Sequence, residues 1–294
     1  MKLRAAIILP AIVLAAITLA GCVKPPPAIT RPTLYTGPTD ALDVVLANIN
    51  ANNARITTIA GSGRFEAWFG KEQQFVNGDI TVVHTKPDKL ALWLKKAGAG
   101  ELLNAGANGV HWWLVARGEV DTTYYGTPTR AASADPRLPI SPELIADVLA
   151  VATLNLDLLA QPVPTMRFNP DYDCYMLTWH VPITDRWVTL REVWYDRATL
   201  KPKIVWLFDR DGRVALRAKL GDVRPMDVSN DATAPTVARS FDLFFPENGS
   251  RLTFSLDELR ATRGRAPNEQ SYRFDPARVR TAKVVNFDDP SAAN

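Results

Sequence analysis

Side chains with an evident capacity for chemistry are few and scattered. The three histidines, His84, His111 and His180, each fall in a different stretch of strand-like alternation, and no HExxH or other close ligand spacing joins them. They predict surface or half-buried imidazoles with satisfied partners, and no metal site. Asp209-Arg210-Asp211-Gly212 sets two carboxylates beside a glycine. It lacks the remaining ligands and the terminal Glu of a calcium loop, so it reads as a hairpin turn. Asp171 and Asp173 flank Tyr172 after Pro170, a setting for solvated turn residues rather than for paired catalytic acids. No GxSxG, P-loop or GxGxxG in a strand–helix setting is found. The expectation is no catalytic residue, no metal, no cofactor and no enzymatic activity.

Cys22 is different. Lys2 and Arg4 form a short positive start, and Ala5 to Ala20 is apolar apart from Pro10 and Thr18. That run is shorter than the ~20 residues of a spanning helix. Leu19-Ala20-Gly21-Cys22 follows, small residues and then a cysteine, in the pattern of a bacterial lipobox. The reading is a signal peptide over 1–21, removed to leave Cys22 as a lipidated N-terminus; an ordinary secretory signal and an uncleaved anchor are the alternatives. Each buried CH₂ contributes ~0.8 kcal/mol, so two or three long chains anchor the protein in a bilayer. Val23, in place of an Asp, is compatible with an outer-membrane anchor facing the periplasm. The other cysteine, Cys174, then lacks a partner and predicts a buried or half-buried thiol.

The elements that would position a site follow from pattern. The chain has 294 residues, 47% hydrophobic and 22% charged, with a net charge of +3. This composition fits a globular protein and argues against disorder or multiple membrane spans. With no Lys/Arg block, nucleic acid is not an expected partner. Residues 22–38, with Pro25, Pro26, Pro27, Pro32 and Pro38, read as an extended tether, and 39–294 as one domain. Thr39-Asp40 caps a helix whose Leu42, Val45, Leu46 and Ile49 make one apolar stripe. From Ile56 the period changes to two. About a dozen short strands with tight turns indicate one antiparallel meander, with Asn77-Gly78 among the turn signals and a last edge strand near Tyr272-Arg273-Phe274-Asp275-Pro276. A single helix interrupts it, with Ser141 as cap, Pro142 at its first position and Leu144, Ile145, Val148 and Leu149 as its apolar face. Following the long loop Gly126 to Pro139, it reads equally as a lid or as the closure of a barrel end. All eight tryptophans fall in strand candidates. They are compatible either with a filled core or with an apolar hollow.

This order of elements resembles the LolA/LolB-like fold of lipoprotein carriers and receptors. Gly78-Asp79-Ile80 with Lys86-Pro87-Asp88-Lys89-Leu90-Ala91-Leu92 resembles that family's strand, basic-Pro turn and strand. Gly109-Val110-His111-Trp112-Trp113 resembles its mid-sheet strand, and Val193 to Ile204 with Phe208 to Arg213 its recurrent strand–turn–strand. The resemblance implies a mainly β fold: one curved antiparallel sheet, an incomplete barrel, with an N-terminal helix and a mid-chain lid helix. It implies an acyl-chain cavity drawing on Phe65, Trp68, Ile80, Val82, Leu92, Trp93, Trp112, Leu114, Trp194 and Trp206. The family's soluble carrier latches its lid with an Arg before the turn Pro. Lys86 stands there in this chain and keeps the charge without the five-donor fork. The Ala97 to Ala107 loop, with Leu102 and Leu103, is the candidate for a membrane-insertion loop. The implied function is a monomeric, lipid-anchored envelope protein that shelters acyl chains of lipoproteins or lipids and assists their outer-membrane localisation. The rival is an envelope sensor or structural lipoprotein acting through protein contacts.

Overall fold

The computed structural model describes residues 34–96, 98, 100–117, 121–127, 142–226, 234–261 and 269–289. Cys22 with its signal and most of the tether, the loop after Thr127 and the Ser141 cap lie outside them. No helix among the described residues is long and apolar enough to cross a membrane.

Helix α1 (Leu42–Asn53) buries the predicted stripe through Val45, Leu46 and Ile49. Its cap position is Ala41, with no side-chain cap bond. Asp40 instead bonds Tyr175, whose hydroxyl accepts from the Asp40 N–H at 2.8 Å. The strands follow as β1 (Thr58–Phe69), β2 (Gln74–Thr85), β3 (Lys89–Lys96), β4 (Gly100–Asn108), β5 (Trp112–Ala116) and β6 (Thr122–Gly126). After α2 (Pro142–Val148) come β7 (Val163–Asn169), β8 (Cys174–Ile183), β9 (Arg186–Asp196), β10 (Pro202–Phe208) and β11 (Val214–Gly221). The chain ends with β12 (Arg224–Pro225), β13 (Thr236–Val237), β14 (Ser240–Phe245), β15 (Ser250–Ala261), two short 3₁₀ turns and β16 (Lys283–Asn286).

Fourteen strands form one sheet in the order β16-β6-β5-β4-β3-β2-β1-β15-β14-β11-β10-β9-β8-β7, with β12 and β13 paired separately. The sheet is curved and unclosed, ending at β16 and β7. Two meanders are joined where β1 pairs with β15, from Ile59 opposite Ala261 to Trp68 opposite Arg251. A parallel barrel would need helical crossovers between strands; here every pairing is antiparallel except β16 with β6.

The structure corrects several expectations. Asn77 and Gly78 lie inside β2, and the chain reverses at 70–73. Gly78 serves close approach: a Cβ there would fall 2.0 Å from the Lys95 carbonyl oxygen. Leu102 and Leu103 belong to β4 and not to a loop; Leu103 is buried and pairs with Leu94 and Ala116. Tyr272 to Pro276 is not a strand. Tyr272 closes a 3₁₀ turn, Phe274 stacks on Trp113 at 5.3 Å, and the edge strand is β16.

Candidate functional site

Because strand side chains alternate between faces, register assigns each residue to one side of the sheet. Val82, Leu92, Ala105, Leu114 and Tyr124 stand opposite one another on β2 to β6. On the other limb Phe65, Phe254 and Phe241 do so, the last two stacked at 4.5 Å. Together with α1, these residues belong to a single apolar cluster that runs through both limbs. This is the concave face.

Of the proposed cavity residues, Phe65, Ile80, Val82, Leu92, Trp112 and Leu114 are buried on this face. Trp68, Trp93, Trp194 and Trp206 occupy the opposite parity and face outward, Trp68 beside Arg251, Trp93 between Thr81 and Asn104, and Trp206 beside Arg217. Trp194 is sealed in a separate small cluster with Cys174 and Met176, its indole N–H donating to Glu192 at 2.6 Å. The strands' aromatic content gave no indication of parity; only the pairing partners fix it.

Helix α2 covers the concave face. Ile145, Val148 and Leu149 are buried and Leu144 packs against the same cluster, and the helix lies against β3, β4 and β5. Two polar ties hold it and the chain that follows. Lys86 sits where β2 ends, before Pro87. Its ammonium donates to the Asn53 carbonyl at 2.6 Å, the Val151 carbonyl at 3.1 Å and the Thr153 hydroxyl at 3.2 Å. Asn53 ends α1, where unsatisfied carbonyls and the negative end of the helix dipole favour a cation. Burial pushes the Lys86 pKa below the usual lysine range, while the three oxygens favour its charged form. The second tie comes from the other limb: Arg191 of β9 donates to Asp147 of α2 at 3.4 Å, its guanidinium lying 4.2 Å over the Trp179 ring.

Three asparagines of α1 complete the arrangement. Asn50 exchanges bonds with the backbone of Leu154, at 2.7 and 2.8 Å. Asn53 donates to the Ala150 and Ala152 carbonyls, and Asn52 engages Thr236 from both ends of its amide. Asn50 and Asn53 thus pair with backbone that lies outside any strand, and Asn52 with the backbone of β13. These residues and Arg191 were missed by sequence reading. The available signal was the crowding of Asn48, Asn50, Asn52 and Asn53 at a helix end, which reads locally only as helix termination.

Among the described residues, the side chains of the concave face pack against one another. Where α1, the end of α2 and the β9–β10 turn meet, Ile49, Leu149, Val151, Leu200 and Val237 line a recess of about 110 Å³. An apolar cavity of about 150 Å³ accommodates one benzene, so this recess is too small for an acyl chain. Tyr195, whose hydroxyl pKa burial raises to about 12, borders the recess as a neutral phenol. Apolar groups are exposed on the α2–β7 connection, where Leu159 is 88% and Leu156 55% exposed. No three His, Cys, Asp or Glu side chains gather as a metal site among the described residues.

No protein-family model matches the chain, and no curated protein does. Solved structures do match. A domain described as an outer membrane lipoprotein-sorting protein, from Vibrio parahaemolyticus, is 12% identical with a TM-score of 0.50, over 78% of this chain and 98% of that one. The LolA superfamily protein NE2245 from Nitrosomonas europaea is 10% identical with a TM-score of 0.50, over 80% of this chain and 99% of that one. At such identities the likeness is one of fold, and the chain has the LolA/LolB-like fold.

Proposed function

We propose that this protein is a lipid-anchored component of the bacterial cell envelope that binds acyl chains of lipoproteins or lipids on its concave face and assists their localisation to the outer membrane. The observation that carries this reading is the apolar surface continuous through both limbs of the unclosed sheet, capped by a short helix that two polar ties hold in place. A C16 chain leaving a membrane exposes about 13 kcal/mol of apolar surface at ~0.8 kcal/mol per CH₂. A carrier must offset most of that, and hydrophobic burial does so without directional contacts. Opening α2 would exchange its Ile145, Val148 and Leu149 for the acyl chain on the same surface. Titrating the delipidated protein with a fluorescent fatty acid or lipopeptide tests the reading. Saturable uptake that Leu114→Asp abolishes in a folded protein is expected, and no saturable uptake by the wild-type protein would refute it.

A further inference from the structure

The outward face of the sheet carries an organised row of its own. Phe75 of β2 stands opposite Trp68 of β1, and Trp68 opposite Arg251 of β15. Arg251 is opposite Phe244 of β14, Phe244 opposite Arg217 of β11, and Arg217 opposite Trp206 of β10. From Trp68 to Trp206 aromatic rings and guanidinium groups thus alternate over five neighbouring strands, and Phe75 extends the row to a sixth, roughly 24 Å in all at about 4.8 Å per strand step. The two groups interact: Arg251 lies 5.7 Å from the Trp68 ring centroid and Arg217 5.3 Å from that of Trp206. Asp242 orients Arg251 through bonds of 2.7 and 2.8 Å. The row is accessible, with Phe75 51% exposed, and a groove of about 600 Å³ runs over Trp206, Ile204 and Phe244. Three cations, Arg217, Lys219 and Arg251, border it against one carboxylate, Asp242. Neither Arg217 nor Lys219 forms an ion pair among the described residues.

We infer that this row is a docking track for a linear anionic glycan, the β-1,4-linked amino-sugar strand of peptidoglycan with its carboxylate-bearing stems. Three features select that occupant. The unpaired cations call for carboxylates. Trp68, Phe244 and Trp206 recur every second strand, about 9.6 Å apart, a spacing that two β-1,4-linked sugar rings of an extended strand also span, so ring faces can stack on successive aromatics. An extended peptide returns a side chain to one face every ~6.8 Å and falls out of step. The row also follows the curved direction of the sheet, across the strands. A planar bilayer touches only part of a convex arc, whereas a flexible polymer bends along it. The inference rests on the envelope placement proposed above and not on acyl-chain binding, because the two faces are separate.

The test is co-sedimentation of the purified full-length protein in detergent with protein-free peptidoglycan sacculi, alongside chitin and, in separate flotation, phosphatidylglycerol vesicles. Saturable binding to sacculi is expected, with weaker binding to uncharged chitin. Arg217→Glu and Trp206→Ala should each lower affinity by on the order of tenfold, about 1.4 kcal/mol, with far-UV circular dichroism unchanged. Should either variant misfold, Phe244→Ser and Lys219→Glu probe the same groove. Absence of saturable binding to sacculi, binding that all these variants retain, or row-dependent binding to vesicles alone would each overturn the inference.

Discussion

The Lys86 ammonium donates to the Asn53 carbonyl at 2.6 Å, bonding the end of β2 to the last turn of α1. The same nitrogen reaches Val151 beyond α2, so one cation joins the sheet, the N-terminal helix and the chain leaving the lid. Lys86→Met keeps the aliphatic stem and removes all three bonds. A loss of about 1.5–3 kcal/mol, the range for hydrogen bonds to a charged group, should appear in the urea midpoint, together with faster uptake of an acyl probe. Lys86→Arg should retain most of the stability. A Lys86→Met protein equal to wild type in both measurements would remove the latch.

The second tie should be weaker. Asp147 is half-exposed and its bond to Arg191 is 3.4 Å long. A double-mutant cycle of Arg191→Leu with Asp147→Asn should give a coupling of about 1 kcal/mol or less. Hydrogen exchange in 144–149 should nevertheless quicken in either single variant while β8 and β9 stay protected. Uniform exchange changes across the sheet would show that Arg191 supports the fold generally and does not hold the helix.

Face assignment predicts unequal costs for neighbouring aromatics. Phe65 is buried on the concave side, and Phe65→Ala should cost about 3–5 kcal/mol. Trp68, three residues on, faces outward beside Phe75 and Arg251. Trp68→Ala should cost nearer the ~1 kcal/mol typical of point substitutions. Chemical denaturation of the two variants checks the order, and a larger loss at Trp68 contradicts the assignment.

His84 supplies a pH dependence. Burial holds its pKa below the ordinary 6.5, although its Nδ1 lies 3.0 Å from the Lys89 carbonyl. The unfolded chain therefore binds a proton at pH values where the folded protein does not. Stability should be level above about pH 6.5 and fall as the pH drops below it. His84→Leu should flatten this slope between pH 7 and 5 in thermal melts; an unchanged slope assigns the dependence elsewhere.

Cys174 is buried beside Met176 and Trp194, and burial raises its thiol pKa. A neutral, enclosed thiol is a poor nucleophile. Maleimide labelling should wait for unfolding and track the denaturation curve. Rapid labelling of the native protein would mean that the outer cluster opens.

Much of the fold was legible because periodicity is local. The stripe Leu42, Val45, Leu46, Ile49 needs only a helix's own repeat, β1 and β2 announce themselves by alternation, and β8 to β11 by short apolar runs between turn signals. β4 did not, since Gly100 to Asn108 is rich in Gly, Ala and Asn. Its strand exists through pairing with β3 and β5 on either side, and that misreading also placed Leu102 and Leu103 in a loop. Asn77-Gly78 failed in the opposite sense: a strong turn dipeptide is held straight because the Lys95 backbone passes too close for any side chain at Gly78.

By itself, then, the sequence determined the sequence of helices and strands, the apolar surface they would share and the basic residue placed before a turn proline. Each depends on a residue and a few neighbours along the chain. The tertiary structure alone decided which tryptophans face inward, that Arg191 reaches across to Asp147, and that aromatic and cationic side chains from six strands fall into one outward row. Those relationships are matters of register between segments up to 202 residues apart, as Ile59 and Ala261 on the β1–β15 seam illustrate. A one-residue slip in any pairing would reverse them, and nothing in local composition specifies the slip.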